Sequence, residues 1–178
     1  MNNEVCTKWR EYSRAGIALG LSLFVLVEVN YPLLQPQSRL ALFGLLGLVS
    51  LFLSLPYRKH RPPGDMTRFA DWILVSAVVF CYGYVLLQTE PRGARFWIGG
   101  INLGERAGQE VLLDIVVGCL GLGLVLEATR RAIGWTLPLL AVFFLLYGRF
   151  GASLPDALFP HRGYTWARIV SQTFLHSQ

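Results

Sequence analysis

The stretch "LVLEATRRAIGWTLPLL", residues 124–140, places three charged side chains between two strongly apolar runs. Glu127 lies three and four residues before Arg130 and Arg131, so the three side chains share one face of a helix. Gly134 can end that helix, and a second helix can begin directly after it. The pattern therefore predicts two apolar helices joined by a short turn, with a cluster of charges beside the turn.

The composition of the whole chain is that of a membrane protein. Of its 178 residues, 53% are hydrophobic and only 15% are charged, whereas a soluble domain typically carries about 25% charged residues. A soluble core of this size cannot bury so many large apolar side chains, and a soluble helix bundle would need a polar outer face. The composition therefore predicts an all-α integral membrane protein.

Five apolar runs divide the chain into candidate transmembrane helices. A bilayer core is about 30 Å thick and needs about 20 helical residues. The first and third runs meet this length, and the others need flanking turns or snorkelling side chains to complete them. We predict a four-span core over residues 1–134, followed in residues 135–178 by a fifth, connecting transmembrane helix and an external tail. The runs are Ala15–Leu34, Leu40–Pro56, Ala70–Gln88, Val111–Leu126 and Trp135–Phe150.

The basic loop "YRKHRPPGDMTR", residues 57–68, sets the orientation. It carries four basic side chains against a single aspartate, and the positive-inside rule places such a loop in the cytoplasm. The first run has a basic flank and no small-residue cleavage site, so it is predicted to remain in the protein as a signal anchor. The N-terminus is then cytoplasmic, and five crossings place the C-terminus outside.

The charges after the fourth run form the candidate site of the sequence. Arg130 and Arg131 are predicted to stop translocation at the level of the cytoplasmic lipid headgroups. Glu127 can pair with Arg131 across one helical turn, which stabilises an exposed helix by a few tenths of a kcal/mol. The favoured interpretation is a role in topology and helix capping, within a cytoplasmic hinge over residues 127–134. The alternative is contact of Glu127, Arg130 and Arg131 with a partner helix or with lipid.

No pattern of residues indicates catalysis, a cofactor or a metal. The histidines lie far apart, and the cysteines lack the spacing of a metal site or a disulfide framework. Cys81 and Cys119 are predicted to be small packing residues within spans. We therefore predict no catalytic, cofactor-binding or metal-binding residue and no nucleic-acid partner. The histidines are His60, His161 and His176.

Acidic residues and glycines within the runs have simple structural interpretations. Glu28, Asp71 and Asp114 each lie near the end of a run, so they are predicted to be interfacial caps. Small residues within the fourth run predict the close approach of another helix. These are Gly118 and Gly121, or Gly121 and Gly123.

Two segments outside the runs combine apolar and charged residues. Residues 91–110, "PRGARFWIGGINLGERAGQE", are predicted to lie on the outer membrane surface. The tail "YTWARIVSQTFL", residues 164–175, presents an apolar face that is predicted to pack against more protein. In the first segment Phe96, Trp97 and Ile98 lie beside Arg92 and Arg95, and the face of the tail consists of Trp166, Ile169, Val170 and Phe174.

Several of these features follow one another in a recognisable order. "ADWILVSAVVF" precedes the "EATRR" turn, a Trp-x-x-Pro restart and finally "HRGYTWARIV". This order resembles the membrane component of TRAP transporters of the TAXI type, in which a small multi-span domain precedes a large transport domain. The resemblance covers more than half of the chain, and the first two runs match in position and hydrophobicity only. The fifth run corresponds to the helix that connects the two domains in fused members, so the chain is either a separate subunit with this connector or part of a fused permease.

The resemblance implies a membrane scaffold, without enzymatic activity, for the ion-driven uptake of small organic acids. The implied partners are a large TRAP transport subunit or domain, a periplasmic solute-binding protein and membrane lipids. The implied location is the bacterial or archaeal cell (inner) membrane, as a multi-pass protein. No substrate-binding residue carries over, because those motifs belong to the large domain. Two alternatives stay open: a self-sufficient small transporter, and a membrane-embedded enzyme or assembly factor.

Overall fold

The computed structural model describes residues 2–31, 34–55, 65–153 and 162–175, and within these ranges the chain contains helices and turns but no β-strand. Five long helices follow one another: α1 Asn2–Asn30, α2 Pro36–Ser54, α3 Asp65–Thr89, α4 Leu112–Ala132 and α5 Thr136–Phe150. Short 3₁₀ helices join α3 to α4: Pro91–Phe96, Ile98–Gly100 and Leu103–Arg106. A 3₁₀ turn, Gly151–Ser153, follows α5. Further along, α6, Trp166–Val170, continues directly into a π-helical turn, Ser171–Leu175.

Three of the described helices are long and apolar enough to cross a membrane. They are α2, the Phe69–Thr89 part of α3, and α4. At a rise of about 1.5 Å per residue, each reaches roughly 30 Å, the thickness of a bilayer core. Two further segments, Ala18–Asn30 of α1 and the whole of α5, are apolar but shorter. The described part of the chain is therefore all-α with three helices of membrane-spanning length, and the first and fifth crossings stay predictions.

The second and fourth helices extend beyond the apolar runs that predicted them. α2 begins at Pro36, because proline fits the first turn of a helix, where its missing N–H is not needed. α4 continues through the charged residues to Ala132, and Gly134 follows with a φ of 109°. The prediction that Gly134 ends the helix that carries the charged residues is therefore confirmed, whereas the first six residues of the predicted hinge, 127–132, are helical. They form the last turns of α4, and the turn itself is confined to residues 133–135.

The interior of the molecule lies between α2, α3 and α4. Small and medium-sized apolar side chains of α3 and α4 meet the ring of Phe52 from α2. Cys81 is one of these buried side chains, as predicted, whereas Cys119 is exposed. This core fixes the three helices side by side, with α1 packed against α2 and α5 against α4. The buried members are Phe52, Val78, Cys81, Val117, Leu124 and Ala128.

The C-terminal segment, residues 166–175, packs back onto α4 at two glycines. A Cβ atom at Gly118 would lie 2.5 Å from Cγ1 of Val170, and one at Gly121 would lie 2.1 Å from Cζ of Phe174. A Cβ at Gly123 would have no described neighbour within 4 Å. The predicted close approach is therefore confirmed for the first pair of glycines, and the approaching element is the tail of the same chain.

One aromatic and one aliphatic residue of this segment, Phe174 and Leu175, complete a second apolar cluster. The ring of Phe174 meets that of Tyr82 edge to face, with 5.2 Å between the centroids. Leu175 is buried beside Leu103, Ala41 and Val85. The apolar face predicted for the tail thus packs against its own bundle, although Trp166 stays 48% exposed.

Candidate functional site

The three charged residues singled out in the sequence meet in one cluster at the end of α4. Arg130 donates from Nε to Oε2 of Glu127 and from Nη2 to Oε1, both at 2.7 Å. Arg131 donates from Nε to Oε1 of the same carboxylate at 2.9 Å. The predicted pairing of Glu127 with Arg131 is confirmed, and Arg130 adds a two-pronged contact that fixes the carboxylate in orientation. We call these three residues, together with Asp71, the Arg131 cluster.

Arg131 connects α4 to two other helices. Its Nη1 donates to Oδ1 of Asp71, in α3, at 2.8 Å, and to the carbonyl oxygen of Leu55, at the end of α2, at 3.0 Å. Its guanidinium carbon lies 5.0 Å from the centre of the Phe52 ring. The side chain is only 3% exposed. Arg131 therefore makes contacts beyond those that topology and capping require, because its side chain is buried and bonded to neighbouring helices.

Arg130, the adjacent arginine, has a different environment. Its side chain is 22% exposed, and its guanidinium carbon lies 5.2 Å from the centre of the Trp135 ring. Trp135 stands just beyond the turn at Gly134, so this cation–π contact spans the connection between α4 and α5. Arg130 therefore contacts the residue that follows the α4–α5 turn, whereas Arg131 links α4 to α2 and α3.

A second buried arginine lies at the opposite end of α4. Arg106, in the last 3₁₀ helix before α4, is 4% exposed, and its Nη2 lies 3.6 Å from Oδ1 of Asp114, which is fully buried. The Tyr84 hydroxyl donates to the same oxygen, and the Val111 backbone N–H donates to Oδ2 at 3.0 Å. The capping role predicted for Asp114 is confirmed by the contact with Val111. We call Arg106, Asp114, Tyr84 and Gln88 the Arg106 cluster.

Gln88 attaches the α3–α4 connection to the end of α3. Its Oε1 accepts from Nη2 of Arg106 at 2.9 Å and from the Ile98 backbone N–H at 3.1 Å. Its Nε2 donates to the carbonyl oxygen of Phe96 at 2.7 Å. One buried amide therefore satisfies polar groups from three separate 3₁₀ helices and fixes all three on α3.

The sequence did not reveal Arg106, which fell within a segment predicted to lie on the membrane surface. In a 3₁₀ helix, residues three apart lie on the same face. Leu103 and Arg106 have this spacing and both are buried, so an apolar residue three before an arginine was the available signal.

The other two acids predicted to be interfacial caps have different roles. Asp71 pairs with Arg131, whereas Glu28 is buried and accepts from the Leu34 backbone N–H at 3.2 Å, as a cap would.

In both clusters, charged and polar side chains link one helix to its neighbours. Across the described ranges, no three His, Cys, Asp or Glu side chains are grouped as metal ligands would be. The predictions made for His60, His161 and His176 concern positions outside the described residues. What the geometry shows directly is that each buried guanidinium bonds to groups from other elements of the bundle.

No protein-family model matches this chain, and neither a curated protein nor a solved structure matches it. The resemblance to TRAP membrane components therefore depends on the sequence motifs alone, and those motifs include the residues of the Arg131 cluster.

Proposed function

We propose that the chain is the membrane scaffold of a TRAP-type transporter of the TAXI group, serving the uptake of small organic acids. It works with a large transport subunit or domain and an extracytoplasmic solute-binding protein. The observation that carries the proposal is the position of Arg131. The "EATRR" motif on which the resemblance depends forms the ion-pair cluster that ties α2, α3 and α4 together.

The distribution of charge along the helices supports a static role. Asp71, Asp114, Glu127 and Arg131 lie in the end turns of α3 and α4, each paired or hydrogen-bonded within the chain. Buried ion pairs at both ends of a bundle resist the separation of its helices, because separation leaves charges without partners. A scaffold against which a second domain moves requires this rigidity.

The proposed topology has five crossings, with the N-terminus in the cytoplasm and α5 as the connector. α5 supports this, because it begins directly after the Arg131 cluster and exposes large apolar side chains along its length, among them Leu139, Phe143 and Phe144. Lipid is the solvent that such an apolar surface requires.

Cysteine labelling tests this topology in a chain whose native cysteines are replaced by alanine. Cysteine at Ala94 or Thr165 should react with an impermeant reagent added outside the cell, and cysteine at Ala132 only after the membrane is opened. Reaction of positions 132 and 165 from the same side would contradict the fifth crossing.

Purification and reconstitution test the function. The tagged chain, extracted from its native membrane in mild detergent, should bring with it a large multi-span protein. In liposomes, that complex with its binding protein should take up small organic acids when an ion gradient is imposed to drive the uptake. The purified chain alone should take up none. Uptake by the chain alone would contradict the scaffold proposal and establish a self-sufficient transporter.

A further inference from the structure

The segment over residues 91–101, which follows α3, lies where lipid headgroups would be. The apolar part of α3 ends at Thr89, and α4 begins at Leu112. When both helices cross a bilayer, the residues just beyond these ends are at the depth of the headgroups. The 91–101 segment is therefore held at the membrane boundary by the length of the helices on either side of it.

Its attachment to α3 is fixed. Gln88 bonds the backbone on both sides of Trp97, through Phe96 and Ile98. The first 3₁₀ helix lies so close to α3 that a Cβ atom at Gly93 would be 2.3 Å from the carbonyl oxygen of Leu87. Side chains on the outer face of this segment thus have a defined position relative to the membrane.

That outer face is basic and partly apolar. Arg92 and Arg95 are three residues apart in the Pro91–Phe96 3₁₀ helix, so their side chains share one face. Both are exposed, and within the described part of the chain neither forms an ion pair. Phe96 is 67% exposed and Ile101 43%. Two adjacent guanidinium groups beside exposed apolar side chains suit an interface of phosphates and acyl chains.

The neighbouring acids are mostly engaged elsewhere. Glu90 accepts from the Gln35 backbone N–H at 3.2 Å. Glu110 accepts from the Gly108 backbone N–H at 3.0 Å and from the Ser171 hydroxyl at 2.5 Å. Glu105, which is exposed, belongs to a separate 3₁₀ helix. The positive charge of Arg92 and Arg95 is therefore not offset by a carboxylate bonded to them.

We infer that the 91–101 segment binds anionic lipid headgroups, with Arg92 and Arg95 contacting phosphates while Phe96 and Ile101 enter the acyl-chain region. This inference depends on the membrane location in the proposed function and on none of its transport chemistry. This lipid contact is separate from Glu127, Arg130 and Arg131, where both arginines bond to the carboxylate of Glu127.

Spin-labelled lipids test the inference with the full chain in phosphatidylcholine bilayers. The wild-type chain should associate more strongly with labelled phosphatidylglycerol than with labelled phosphatidylcholine. The R92Q/R95Q variant should lose this preference, at roughly fivefold for each arginine at low salt. The charge-reversed R92E/R95E variant should favour phosphatidylcholine. The control R168Q removes an exposed arginine of α6, outside the segment, and should keep the wild-type preference.

An equal preference in the wild-type chain and in R92Q/R95Q would overturn the inference, as would an equal loss in R168Q. Because the substituted side chains are exposed, thermal unfolding in detergent should be the same for all four proteins. Failure of the wild-type chain to enter bilayers would instead count against the membrane scaffold. The two proposals therefore fail by different measurements.

Discussion

The two buried arginines stand at opposite ends of the same helix in different surroundings. Arg131 bonds to two carboxylates, those of Asp71 and Glu127, which are 22% and 23% exposed. Arg106 has one carboxylate, that of the fully buried Asp114, together with the amide of Gln88. The first cluster therefore contains more than one acid and touches water, whereas the second depends on a single acid out of contact with water.

This difference determines how each end responds to the loss of a partner. A buried charge that loses its only counter-charge cannot be hydrated without opening the structure, and the cost is about 3–5 kcal/mol. A buried charge that keeps a second counter-charge loses only part of its stabilisation. Exposed carboxylates left behind can turn to water. The Arg106 end should therefore be sensitive to the loss of its acid, and the Arg131 end more tolerant of the loss of one of its two acids.

The largest effect should come from Asp114→Ala. This change leaves Arg106 with Gln88 as its described partner, and we expect the free energy of unfolding to fall by about 3–5 kcal/mol. The matched control is Asp71→Ala, which leaves Arg131 bonded to Glu127 and to the Leu55 carbonyl, and should cost clearly less. Thermal unfolding of the full chain in detergent measures both. Equal losses would break the distinction between the two ends.

Arg131→Lys should have the next largest effect. A lysine carries three donors on one atom and cannot reproduce the fork with which Arg131 reaches Glu127, Asp71 and the Leu55 carbonyl together. At least one partly buried acceptor loses its bond, so we expect a cost of about 1–3 kcal/mol. The same unfolding measurement applies. An unchanged stability would show that positive charge alone holds the three helices.

Gly121→Ala should destabilise the Arg106 end indirectly, by displacing residues 166–175 from α4. The added methyl group would overlap the ring of Phe174, and relieving such overpacking costs about 1–2 kcal/mol. Release of residues 166–175 would expose Leu103, so hydrogen exchange should increase in the α3–α4 connection and stay unchanged around Arg131. Gly123→Ala, which meets no described neighbour, is the matched control. Faster exchange at both ends would contradict the independence of the two clusters.

The smallest effect should come from Arg130→Lys. Arg130 is partly exposed, and an exposed ion pair is worth at most about 1 kcal/mol. Lysine keeps the charge beside Glu127 and over Trp135, so we expect a loss below about 1 kcal/mol. Comparing its loss of stability with that of Arg131→Lys distinguishes the contributions of the two neighbouring arginines. A loss as large as that of Arg131→Lys would mean that the α4–α5 turn is as critical as the attachment of α2 and α3.

The sequence predicted those contacts that follow from local helical geometry. Glu127 meets Arg130 and Arg131 because residues three and four apart are neighbours on any α-helix. Composition likewise predicted the all-α class, since the apolar runs have the length of spanning helices. Gly118 and Gly121 predicted a close approach, although small residues do not identify the element that approaches.

Contacts between residues far apart in the chain could not be predicted from local sequence patterns. Asp71 was predicted to be a cap, because nothing in its own run indicates that Arg131 will lie against it. Arg106 lies in a segment predicted to be on the membrane surface, because amphipathic composition does not reveal the period of three of its 3₁₀ helices. The apolar run ends at Leu126 but α4 does not, because the paired charges let the helix continue past that residue.

The two clusters also differ in when they can form during synthesis. Asp114 follows Arg106 by eight residues, so this pair can meet almost as soon as the start of α4 leaves the ribosome. Arg131 follows Asp71 by 60 residues. At roughly 5–20 residues per second, the aspartate waits roughly 3–12 s for its partner. During that interval α2 and α3 lack the arginine that bonds to both of them, and the arrival of "EATRR" adds this ionic link to their apolar contact.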